Sequence, residues 1–144
     1  MLPNHTKGKA LDHVRERLSR FVVPEFLLLS CDAWQEGPES LLDAIRQRFG
    51  TRTLAVRSSA SDEDGEGGTR AGEYDSVLDV PATDRGALRS AISTVVASYA
   101  RRGGGCAGEE VMVQEMVRDV AFSGVVFTHE LNTGAPYYVV NYDD

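Results

Sequence analysis

The chain is 144 residues long, a length that suits one domain, with 42% hydrophobic and 26% charged residues, ordinary values for a soluble globular protein. Its formal charge of -7 comes with no basic stripe, which excludes a nucleic-acid binder of the usual kind, and no apolar run is long enough for a membrane-spanning helix. The first seven residues, Met1 to Lys7, lack the apolar centre of a signal peptide, so a reducing cytoplasm is the expected compartment.

In chain order, Ala10, Leu11, Val14, Leu18 and Phe21 recur at helical spacing and predict an amphipathic helix over 7–20. Pro24 precedes a short strand expected at 25–30. Leu41, Leu42, Ile45 and Phe49 mark a second helix, with Pro38 in its first turn and Gly50 at its stop. Leu54 to Val56 read as a short buried strand that delivers Arg57 to its end. The stretch 58–73 has no periodicity and reads as a loop; Val77, Leu78 and Val80 follow as a strand.

The clearest helix spans 84–101. Ala87, Leu88, Ala91, Ile92, Val95, Val96 and Tyr99 make one apolar face, Thr83 is the expected N-cap, and Gly103 to Gly105 end the helix. Beyond it all is strand: one run over 111–116, another over 122–127, then a turn at Asn132-Thr133-Gly134 into 137–142. Cys31 and Cys106 stand far apart and outside any Cys-x-x-Cys pattern, so they read as ordinary thiols rather than as a zinc site or disulfide. His5, His13 and His129 are scattered.

Four places carry candidate chemistry. In Val56-Arg57-Ser58-Ser59-Ala60 and the loop to Gly72, glycines let backbone N–H groups approach phosphate and Arg57 adds a permanently charged fork. The acidic residues Asp62, Glu63, Asp64 and Glu66 allow the opposite reading, a solvated surface loop. Val111 to Val117, which includes Gln114, Glu115, Met116 and Val117, is either a core strand or a hinge whose backbone meets an adenine edge. Ser123 to Thr128 with Asn132 to Gly134 is a hairpin in which Gly124 marks a bulge or a close approach. Lys9, at the head of the first helix, is an exposed terminal residue or an anion contact.

Together and in this order these segments resemble the nucleotide-binding domain shared by pyruvate phosphate dikinase, phosphoenolpyruvate synthase and rifampicin phosphotransferase, an ATP-grasp-like fold. The matching pieces are Gly8-Lys9-Ala10, Val23-Pro24-Glu25-Phe26, Val56 to Ala60 with Glu63-Asp64, and Ala71-Gly72-Glu73-Tyr74-Asp75. Val113 to Val117 and Ser123 to Thr128 complete them.

The resemblance implies an α+β fold: a first lobe over 1–117, with a mixed sheet and packed helices, and the opening strands of a second lobe over 118–144. It implies ATP as ligand, with Lys9 and Arg57 on the triphosphate and Arg57 as the catalytic cation, weakening turnover more than binding when lost. Thr69, Arg70, Ala71 and Gly72 would close over the phosphates. The Glu115 carbonyl and Val117 N–H would hold the adenine edge, with Gln114 in the same hinge and Met116 beside the ring. Thr69-Arg70 departs from the family's Ser-Phe at that point.

The family's metal-binding carboxylates, its Gln-x-Arg-Pro segment and its histidine domain lie further on than residue 144, so Mg2+ is expected only with ligands from there and no metal ligand is assigned here. The implied reaction is phosphoryl transfer that makes phosphoenolpyruvate from pyruvate, the acceptor being reached through that histidine domain. A dikinase for an antibiotic or glucan, or a non-catalytic nucleotide-binding remnant, are the alternatives. A chain of this extent is expected to bind ATP weakly and not to turn over, and to self-associate through an open strand edge.

Overall fold

A computed structural model describes residues 6–59, 75–101 and 105–143. A four-stranded sheet is built from β1 (Phe26–Ser30), β2 (Thr53–Ser59), β3 (Ser76–Pro81) and β4 (Glu110–Glu115), in the order β1-β4-β2-β3. Every pairing is antiparallel. The α+β class therefore holds, but the expected mixed sheet is antiparallel throughout the described strands, because each neighbour returns against the last.

Helices α2 (Cys31–Glu36), α3 (Pro38–Phe49) and α4 (Arg85–Arg101) cover one face of this sheet. Strand alternation sends Leu29, Leu54, Val56, Val111 and Val113 to that side. There they join Trp34, Leu42, Ile45, Phe49, Leu88, Ile92, Val95 and Tyr99 in one buried cluster. Burying each such aliphatic or aromatic side chain contributes about 1.5–3 kcal/mol, which is what holds these short helices in place.

Local chemistry sets the helix ends. Pro38 opens α3, and Gly50, with φ 59°, closes it. Asp84, rather than the expected Thr83, caps α4: its carboxylate accepts the Ala87 N–H at 2.9 Å. Helix α2 escaped the sequence reading because six residues show no period; only Cys31 and Trp34 are buried, and Ser30 caps it by accepting the Ala33 N–H at 3.4 Å.

Helix α1 (Lys7–Arg15) lies on the opposite face. Gly8 is its contact: a Cβ there would stand 2.2 Å from Leu28 Cδ2. Further along, the Arg15 guanidinium rests 5.4 Å from the centre of the Phe26 ring. The helix is shorter than the expected 7–20. Leu18 and Phe21 are exposed, so nothing is gained by continuing it.

Strand β2 is longer than expected, and Arg57 sits within it rather than at its end. Ser58 and Ser59, read as loop, are strand residues; the rest of that loop, 60–74, lies outside the described residues. Strands β5 (Ser123–Phe127) and β6 (Val139–Asp143) form a separate antiparallel hairpin. No helix among the described residues is long and apolar enough to cross a membrane.

Candidate nucleotide site

The end of β4 opens a cleft of about 520 Å³, bounded by Pro24, Thr51, Arg52, Thr53 and the run Glu115 to Arg118. That size falls within the range of small-molecule sites. Its walls are fixed by backbone bonds. The Glu115 N–H donates to the Glu25 carbonyl at 2.8 Å and the Met116 N–H to the Thr53 carbonyl at 2.9 Å. The Val117 N–H, one residue past the last of these, has no backbone acceptor among the described residues. Met116 is anchored as well, its Sδ accepting the Asp79 N–H at 3.1 Å. Gln114 lies one step inside, paired across the ladder with Ala55 and Phe26.

Charge around the cleft is balanced. Glu25 takes both Arg52 and Arg48, and Arg52 also reaches Glu115 at 3.3 Å. The Arg52 hydrogen bond, followed by that from Arg48, holds the Glu25 carboxyl below the usual carboxylate range. Arg118 meets Asp79 at 3.3 Å. Asp79 itself adopts a positive φ of 57° beside a register shift between β2 and β3, a conformation Asp tolerates better than most residues.

The two expected phosphate cations share one face of the sheet. Arg57 stands directly opposite Met112 on β4, and Met112 stands opposite Leu28 on β1. Directly paired residues point the same way, and Leu28 is the residue against which Gly8 of α1 packs. Arg57 is exposed and makes no ion pair among the described residues. Lys9, from the first turn of α1, reaches Glu110 Oε1 at 3.2 Å. Glu110 is the ladder partner of Ser59, two residues beyond Arg57 on the same face.

Distance along the strands sets the order. Leu54 pairs with Glu115 at the cleft and Ser59 with Glu110 at the far end. At about 3.4 Å per residue, Arg57 is about 10 Å from the cleft end and the Lys9–Glu110 pair about 17 Å. A ligand with a flat base at one end and anionic groups trailing from it matches this order.

Thr69, Arg70, Ala71 and Gly72 lie outside the described residues. Among the described residues no three His, Cys, Asp or Glu side chains gather as a metal site. The joint that Glu110 makes with Tyr99, Ser59 and Gly8 had no sequence signal. Tyr99 donates its hydroxyl to the Glu110 carbonyl at 2.6 Å and accepts the Ser59 N–H at 3.0 Å, while Ser59 Oγ accepts the Gly8 N–H at 3.0 Å. This chain ties α1, β2, α4 and β4 together across long sequence separations.

Cys31 and Cys106, remote in sequence, lie side by side in the core as free thiols. Burial first, and then the neighbouring Cys106, pushes the Cys31 thiol up to about 12, which makes it a poor nucleophile.

A family model described as the pyruvate phosphate dikinase AMP/ATP-binding domain matches residues 34–142, well over half of the chain. The match takes in Arg57 and Gln114 to Val117 and leaves out Lys9. No curated protein matches the chain.

Proposed function

Because the chain belongs to the pyruvate phosphate dikinase AMP/ATP-binding domain family, we propose that its cleft takes the adenine of ATP and that Arg57 and Lys9 take the phosphates. The Glu115 carbonyl and Val117 N–H line the adenine edge and Met116 packs beside the ring. The observation that supports this reading is the common sheet face of Arg57 and the Lys9–Glu110 pair, on strands whose other end borders the cleft.

ATP supplies the transferable phosphoryl group. The protein's part is positioning and charge: Arg57 presents a planar fork to phosphate oxygens, and Lys9 adds a point charge further out. In the full reaction the phosphoryl group passes to a histidine domain and then to pyruvate, giving phosphoenolpyruvate. Mg2+, where bound, would supply further positive charge at the phosphates, and no residue of this chain is assigned to hold it. We place this chemistry in the cytoplasm, where ATP is held and two buried free thiols persist. The first lobe is taken as 1–117 and the start of the second as 118–144. Two copies meet through the β5–β6 hairpin.

Titration calorimetry with ATP and with adenosine tests the site. Arg57→Ala is expected to weaken ATP binding about tenfold, the scale of one charge-assisted contact, and to leave adenosine unchanged. ATP affinity that ignores Arg57 would remove the assignment.

A further inference from the structure

Lys9 is engaged by a carboxylate of this chain. Its ammonium lies 3.2 Å from Glu110 Oε1, and the Thr6 hydroxyl donates to Glu110 Oε2 at 2.8 Å. The same hydroxyl oxygen accepts the Lys9 N–H at 3.3 Å and so caps α1. The Glu110 side chain is 17% exposed against 54% for Lys9. The carboxylate is thus held inside while the lysine reaches outward.

Glu110 is also fixed from behind. Its carbonyl accepts the Tyr99 hydroxyl, Tyr99 accepts the Ser59 N–H, and Ser59 accepts the Gly8 N–H. The Glu110 backbone and the head of α1 cannot move apart without breaking this chain, and the carboxylate is held by Thr6 and Lys9.

We propose that Glu110 is a specificity-determining residue of the nucleotide site: its carboxylate occupies Lys9 in the free protein, and a phosphate chain gains that lysine only in competition with it. The inference rests on the reading of Lys9 as a phosphate contact. Two effects oppose one another. Glu110 orders a flexible lysine before the ligand arrives, which lowers the entropy lost on binding. It also sets a like charge beside every phosphate that approaches Lys9. The ordering gain concerns one side chain, whereas a triphosphate carries several charges that all feel the carboxylate. Repulsion therefore outweighs ordering, and the penalty falls only on the phosphate end of the ligand.

The test is titration of the whole chain with ATP and with adenosine, for wild type, Glu110→Gln, Lys9→Ala and the double variant. Gln keeps a carbonyl acceptor for Thr6 and leaves the backbone bond to Tyr99 intact. Glu110→Gln is expected to bind ATP about three- to tenfold tighter with adenosine unchanged. That gain should shrink in the Lys9→Ala background, where the competition for the lysine is gone and only the direct repulsion remains. A gain equal in both backgrounds overturns the inference. ATP affinity that does not rise in Glu110→Gln, while Lys9→Ala alone weakens it, overturns the inference and leaves the phosphate role of Lys9 standing. ATP affinity indifferent to Lys9→Ala overturns that role itself.

A measurement on the unaltered chain guards against a misfolded variant. The carbon-13 resonance of the Glu110 carboxyl should move as ATP saturates the site. A resonance that stays in place overturns the inference.

Discussion

At the residue scale, Glu130 is held by a turn of its own making. It accepts the Asn132 N–H at 3.0 Å, the Asn132 side-chain amide at 2.8 Å, and both the N–H and hydroxyl of Thr133 at 2.7 Å. The Thr133 hydroxyl first, then the backbone N–H groups of Asn132 and Thr133, bring its carboxyl down to about 2. A folded value below the ordinary glutamate value of about 4.3 means that its contribution is complete above that pH and is lost as pH falls toward 2. The Asn132 and Thr133 amide resonances are therefore expected to shift together between about pH 4 and pH 2. Glu130→Gln should erase the shift, and an unchanged acid limb would contradict this account. The turn itself was legible from Asn132-Thr133-Gly134. The role of Glu130 was not, because turn chemistry is usually read from Asp, Asn and Ser, whose shorter side chains make this loop-back bond more often.

At the element scale, the β5–β6 pair depends on one missing side chain. Gly124 faces Tyr142 in the register, and a Cβ there would stand 2.3 Å from the Asn141 carbonyl oxygen. The obstacle is backbone, so no rotamer change relieves it. Gly124→Ala is expected to open the hairpin: amide protection should fall across Ser123–Phe127 and Val139–Asp143 while the four-stranded sheet keeps its own. Retained protection in both strands would show that the ladder gives way more easily than its geometry implies. Gly8 differs in kind, since its close neighbour is the tip of a leucine side chain, which can turn aside.

At the scale of the whole molecule, the hairpin leaves a large apolar surface uncovered. Val126, Val140 and Tyr142, on the Gly124 face, are all exposed, as are Val125 and Phe122. A two-stranded sheet alone is marginal in water, and its unpaired edges invite another strand. Association of two copies is the expected outcome, seen by light scattering as a mass that rises with concentration. Val126→Lys should lower that mass toward the monomer while the cleft at the end of β4 stays intact. A wild-type chain that is monomeric at every concentration removes the self-association reading.

Much of the fold was readable along the chain because its signals are local. Helix α3 follows from Pro38, the spacing of Leu42, Ile45 and Phe49, and Gly50; β1, β3, β4, β5 and β6 follow from alternation and turns. Arg57 and the run Gln114 to Val117 stood out along the chain as candidates, since a permanently charged fork beside a glycine-rich loop is suited to phosphate and an apolar strand end is suited to a flat ring. Relations between distant positions were decided only by the tertiary structure. That α1 stops at Arg15 depends on what lies beneath it, and that Glu110 answers Lys9 depends on β4 lying beside β2. Sequence spacing records the period of one element. It does not record which strand a hydrogen-bond ladder will choose as its neighbour, and that choice put Lys9, Arg57 and Glu110 on one face.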